Sequence, residues 1–179
     1  MTLEEIWMSG DFTAETANKL RQDILKHAEV GADVPVVIYI NSYGGSVDAL
    51  NKILDTLDSL PNEIITVCAG TAMSAGAVLL SYGDQRYIGA NSRVMIHQVS
   101  SGTFGTIADM ETSVKETKKL NNQLLKVLAK RCKKTPTQMK AIFDKNVDKF
   151  LNPSEAKKFG LVDKIGTPRL KQVISYELE

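Results

Sequence analysis

Two short runs, Val36-Val-Ile-Tyr-Ile40 and Ile64-Ile-Thr-Val-Cys68, decide most of what this chain can become. The first is continuously apolar and the second nearly so, and both are rich in β-branched side chains, without the alternation of a strand that has one wet face. They predict strands buried on both sides, the pattern of a parallel sheet covered by helices. The segments around them carry a helical period instead. From Thr13, a helix cap, Ala17, Leu20, Ile24 and Ala28 recur at three- and four-residue steps. After Gly44-Gly45 breaks the first strand, Val47, Leu50, Leu54, Leu57 and Leu60 do the same, until Pro61-Asn62 stops them. Strand–helix alternation of this kind predicts an α/β domain with a largely parallel sheet. Ligands in such folds bind at the strand ends.

The rest of the chain fills in around that frame. Glu5 to Ser9 reads as a short strand ended by Gly10, and an apolar helix follows Ser74. A strand pair is expected around Arg86–Ile88 and Val94–Ile96. Ile107, Met110, Val114, Leu120, Leu124 and Leu128 mark one stripe of a helix running from Ile107 to Lys133. At about 40 Å it is longer than a domain of this size is wide, so part of it should project and meet another subunit. Thr135-Pro136 opens a further helix ending near Lys145; Asn152-Pro153 opens another that Gly160 terminates, before a last strand, Leu161–Ile165. No pattern governs the tail after Gly166. One domain over residues 1–179 is expected, with a head of about 1–100 and 146–179 and a handle of about 101–145.

Bulk properties exclude several classes. Acids and bases are interleaved, the net charge is +1, and neither nucleic acid nor an anionic membrane is an expected partner. No segment is apolar for long enough to span a bilayer, and Met1–Ile6 lacks a signal pattern. Cys68 and Cys132 suggest neither a disulfide framework nor a zinc site, so no metal or cofactor is expected, and a cytoplasmic location fits.

Chemistry concentrates in Gly70-Thr-Ala-Met-Ser-Ala-Gly-Ala-Val-Leu-Leu80. Ser74 stands among small residues where a strand gives way to a helix, and the helix N-terminus favours developing negative charge. The same position is also where an ordinary N-cap serine sits. A nucleophilic serine needs a base, a group to orient the base, and donors for the oxyanion. His97, ending Arg93-Val-Met-Ile-His97, is the candidate base, although a core histidine has the same setting. Asp148, in the loop between the last two helices, is the candidate carboxylate or a plain turn residue. The backbone N–H groups of Gly45 and Ala75 are candidate oxyanion donors; the glycine pair also suits a tight strand-to-helix turn.

Four segments in order, Tyr39-Ile-Asn-Ser-Tyr-Gly-Gly-Ser-Val47, Gly70–Leu80, Asn91-Ser-Arg-Val-Met-Ile-His-Gln98 and Phe150–Asp163, resemble the proteolytic subunits of Clp protease, the ClpP family. The resemblance runs from about Ile6 to Ile165. It implies the ClpP/crotonase fold of repeated β-β-α units with a projecting handle. It also implies a Ser–His–Asp peptidase with Ser74 as nucleophile, His97 as base and acid, Asp148 as orienting carboxylate, and Gly45 and Ala75 as oxyanion donors. Substrates are then peptides or unfolded proteins lying extended beside the sheet, flanked by Val47 on one side and Ser100 and Gly102 on the other. The implied assembly is a homo-oligomeric ring, a heptamer that in the family stacks in pairs around a chamber.

The chain departs from the family pattern at named places. Tyr43 stands where proline is usual before the glycine pair, Ala75 where methionine follows the nucleophile, and Val147 where arginine often precedes the aspartate. Two residues are missing at Asp84-Gln-Arg86, read as a hairpin that tolerates deletion. The N-terminus is short, which argues against an AAA+ ATPase partner and for a peptidase without a motor or a phage-encoded variant. Three other readings compete: a crotonase-like acyl-CoA enzyme, a non-catalytic ring subunit, and a membrane-associated Ser–Lys signal peptide peptidase. The first lacks a basic or aromatic cluster for a nucleotide tail, the second is opposed by the complete triad, and the third by the absence of a matching lysine.

Overall fold

A computed structural model describes residues 5–144 and 147–168. Strands β1 (Ile6–Phe12), β2 (Val36–Gly45), β3 (Ile64–Met73), β4 (Gln85–Ile88) and β7 (Lys164–Ile165) lie side by side, all parallel. β5 (Arg93–Ile96) joins β3 in parallel and β6 (Lys149–Leu151) in antiparallel fashion. The helices are α1 (Ala14–Ala28), α2 (Val47–Asp58), α3 (Ala75–Tyr82), α4 (Ile107–Arg131), α5 (Pro136–Phe143) and α6 (Pro153–Phe159). The predicted α/β class and parallel sheet are those of the folded chain.

Both runs became central strands because nearly every position in them is buried, Tyr39 alone being partly exposed. Val36, Ile38 and Ile40 face the helices, and Val37 packs with Ile65 and Val67 on the other side. Against the sheet lies α3, apolar on every face and buried along nearly its whole length, as a helix enclosed from all sides must be. In α2, Leu50 and Ile53 are fully buried, each worth about 1.5–3 kcal/mol relative to exposure.

Several boundaries differ from expectation. Glycine did not end β1, which runs through Gly10 to Phe12; β2 continues past Ile40 and ends with the glycine pair at Gly45, with register shifts between Ser9 and Asp11 and between Ile40 and Ser42. Segments Arg86–Ile88 and Val94–Ile96 are strands, but they do not pair with each other. β4 takes the first half of β3 and β5 the second, so one long strand serves two short neighbours in turn. Of Leu161–Ile165 only Lys164–Ile165 is strand. A three-residue strand, β6, replaces part of the loop expected before α6. Helix α5 ends at Phe143; Lys145, the expected end, lies outside the described residues, as does most of the tail.

Asp84-Gln-Arg86 is not a hairpin but the passage from α3 into β4. Asp84 exchanges backbone and side-chain hydrogen bonds with Ile64. Buried Arg86 donates to both carboxylate oxygens of Asp163, at 2.6 and 2.9 Å, and to the carbonyls of Arg131 and Gly160. One guanidinium therefore ties β4 to the end of α4 and to the turn after α6. Arg86→Ala is expected to cost about 2–4 kcal/mol, because one carboxylate and two carbonyls lose a donor at once. The Arg86 donors also hold the Asp163 carboxyl below its ordinary 3.8. The contribution of the pair is thus complete above that value and is lost as pH falls through the lower folded value. Acid titrations of thermal stability should show wild type converging on Asp163→Asn as pH falls below 3.8; curves that stay parallel throughout that fall would remove the claim.

Helix α4 begins at a capping box in which Thr106 and Asp109 bond reciprocally. Its C-terminal end is anchored by Leu125, Leu128 and Ala129, while Ile107, Met110 and Val114 near its start are exposed. Part of the long helix stands away from the body, as its length predicted.

Candidate active site

Ser74 sits in the turn between β3 and α3 with φ 53 and ψ −118, a conformation that disfavours any side chain. Although it occupies the cap position of α3, its hydroxyl makes no capping bond. Its N–H instead donates to the Met95 carbonyl at 2.9 Å, fixing the turn to the neighbouring strand. The hydroxyl of this strained serine is thus withheld from its own helix.

The ladder sets what faces that hydroxyl. β3 and β5 are parallel through Met73 and Met95, so His97, just past the end of β5, comes out beside Ser74. Its Nε2 lies 2.8 Å from the Ser74 Oγ, a hydrogen bond. On the other side β5 pairs with β6, Ile96 facing Lys149; one step further along that antiparallel ladder sets Asp148 opposite His97. The Asp148 Oδ1 is 3.8 Å from His97 Nδ1, an ion-pair separation rather than a hydrogen bond. The His97 side chain is three-quarters covered, whereas that of Asp148 is 56% exposed.

The glycine pair is demanded by close approach. Gly44 has φ +108, and a Cβ built there would fall 2.6 Å from the Ser74 Cβ and 3.2 Å from the Ala75 nitrogen. Gly45, at φ +139, lies against β1, where a Cβ would meet the Phe12 carbonyl oxygen at 2.6 Å. The glycine turn and the nucleophile turn are therefore in backbone contact. Ala75 opens α3, so its N–H has no acceptor within the helix.

Two cavities meet at this point. The smaller, about 60 Å³, is lined by Ser74, Gly45, Val47 and Ala75, with Leu125 and Leu128 from α4. The larger, about 410 Å³, extends from His97 and Asp148 between the chain after β5 and the start of α4. Ser100 belongs to both, and Gly102 lies outside both linings. His27 is remote from them, its ring Nε2 at 3.0 Å from the Pro35 carbonyl. Both cysteines are free and buried, and burial pushes Cys68 up to about 12 and Cys132 up to about 11, which keeps both thiols protonated and inert. Among the described residues no group of side chains could hold a metal ion, and no helix is long and apolar enough to cross a membrane.

Sequence reasoning missed two polar ties beside the site. Asn121 accepts the N–H of Val99 at 3.0 Å, and Gln98 donates to the Phe143 carbonyl at 2.8 Å. Asn121 had a visible signal: it falls four residues before Leu125 and seven before Leu128, a polar residue on the buried stripe of α4.

Comparison with known proteins agrees with this geometry. A family model described as Clp protease matches residues 2–169. A relative from Bacillus licheniformis, named ATP-dependent Clp protease proteolytic subunit 2, is 35% identical over 162 residues, covering 89% of this chain and 84% of that protein.

Proposed function

This chain belongs to the Clp protease family and is a serine-type endopeptidase; from that premise we propose that Ser74, His97 and Asp148 form its catalytic triad. The single observation that carries the assignment is the 2.8 Å bond between the Ser74 hydroxyl and the His97 ring. In this reading Ser74 Oγ attacks the carbonyl carbon of a peptide bond and passes its proton to His97 Nε2. The tetrahedral oxyanion is held by the N–H groups of Gly45 and Ala75. As the C–N bond breaks, His97 returns the proton to the departing amine, leaving an acyl ester on Ser74. Water, deprotonated by the same imidazole, hydrolyses that ester and restores the hydroxyl. Asp148 holds the imidazole in the tautomer that presents a bare Nε2 to the serine. The 3.8 Å separation requires a small approach of Asp148 toward His97 when substrate closes over it.

The substrate is an extended peptide or unfolded protein, its acyl side in the small cavity beside Val47 and Ala75 and its leaving side over His97, toward Ser100 and Gly102. We further propose that the chain works as a homo-oligomeric ring, seven-membered and stacked in pairs, with the head and handle division drawn from the sequence. What supports a ring is the unpartnered start of α4, where Phe104 is 98% and Ile107 74% exposed. A cytoplasmic location fits the two free thiols.

Hydrolysis of an internally quenched peptide tests the triad. His97→Ala should lower kcat by at least about 10³-fold, and Asp148→Asn by roughly 10²–10⁴-fold. Wild-type turnover in His97→Ala would contradict the assignment.

A further inference from the structure

We propose that Asn121 is a positioning residue that fixes the register in which a peptide pairs with the chain just after His97. The inference rests on the peptidase reading above. β5 ends at Ile96, so no strand ladder holds residues 97–100. Side chains do so instead. The Asn121 Oδ1 takes the Val99 N–H at 3.0 Å, and one residue earlier Gln98 Nε2 donates to the Phe143 carbonyl at 2.8 Å. Helices α4 and α5 thereby grip two consecutive residues of the one segment that both cavities share.

The grip has a chemical consequence. A peptide adding to an extended edge bonds to alternate residues, because successive N–H and C=O groups point to opposite sides. With the Val99 N–H already taken by Asn121, the groups left for a peptide belong to Gln98 and Ser100. A shift by one residue would reverse which substrate side chains enter the small cavity. Asn121 stands there beside Leu124, Leu125 and Leu128, where an amide is costly unless bonded. Its bond to Val99 is what that cost maintains.

The test separates positioning from chemistry. Asn121→Leu keeps the branched shape and the number of side-chain heavy atoms while removing the acceptor; Asn121→Asp keeps the acceptor. With a decapeptide substrate, kcat/KM should fall about 10- to 100-fold in Asn121→Leu and return to within about threefold of wild type in Asn121→Asp. The rate at which a small serine-reactive phosphonate, too short to pair with the segment, modifies Ser74 should be the same in all three proteins. Undiminished peptide turnover in Asn121→Leu, failure of Asn121→Asp to restore it, or a parallel loss of phosphonate reactivity would each overturn the proposal. A wild-type protein that neither turns over peptide nor reacts at Ser74 would overturn the peptidase reading and this inference with it.

Discussion

Ser74→Ala should lower peptide hydrolysis by about 10⁴- to 10⁶-fold while leaving assembly intact. The size follows from the role: without the hydroxyl there is no acyl ester, and only the oxyanion donors and binding remain to accelerate attack by water. Sedimentation should match wild type, since Ser74 is half-buried in the site rather than on the exposed start of α4. Ser74→Gly makes a sharper companion. Glycine adopts φ 53 and ψ −118 freely, relieving strain of about 1–3 kcal/mol against an entropic cost of up to about 1 kcal/mol. It should be as inactive as the alanine variant yet melt a few degrees higher, at about 2–4 °C per kcal/mol for a chain of this length. Activity in either variant, or a lower melting temperature for Ser74→Gly than for Ser74→Ala, would show that this turn is not a strained mount for a nucleophile.

Gly44→Ala should be among the most damaging single-methyl changes open to the site. The added Cβ would lie 2.6 Å from the Ser74 Cβ and 3.0 Å from the Met73 carbonyl oxygen, on a backbone whose φ of +108 already excludes it. Neither neighbour can yield, because one is the nucleophile's own Cβ and the other is main chain. We expect the two turns to separate, kcat/KM to fall by about 100-fold or more, and stability to drop by about 3 kcal/mol. Kinetics at 10 °C, where circular dichroism can show the variant folded, distinguishes a displaced nucleophile from global unfolding. Wild-type kcat/KM in the folded variant would rule out the tight apposition of the two turns.

The fold was largely legible because its strongest signals are local and uninterrupted. Val36–Ile40 and Ile64–Cys68 carry no charged residue and no polar–apolar alternation, and the caps at Thr13, Thr135 and Asn152 all bond as capping boxes. One strand end was misread, at Gly10, where a positive φ bends β1 without ending it, and β2 continues past Ile40 to the glycine pair. The partners of β4 and β5 were misread because pairing with β3 depends on its length. That length extends through Ala69-Gly-Thr-Ala-Met73, beyond the apolar run that ends at Cys68. Ser74 and His97 could be named from the sequence as candidates, but their meeting depends on the β3–β5 register, a long-range property. Asp148 follows from a three-residue strand too short to announce itself. The clasp of Arg86 on Asp163 was hidden because nothing in a lone arginine says that it will be buried.

The most direct trial of the central claim is the site of covalent modification by a serine-reactive phosphonate, read by intact mass and peptide mapping. A single adduct on Ser74, absent from Ser74→Ala and formed far more slowly in His97→Ala, is the predicted result. An adduct on another residue, or peptide hydrolysis by a protein whose Ser74 stays unmodified, would contradict it.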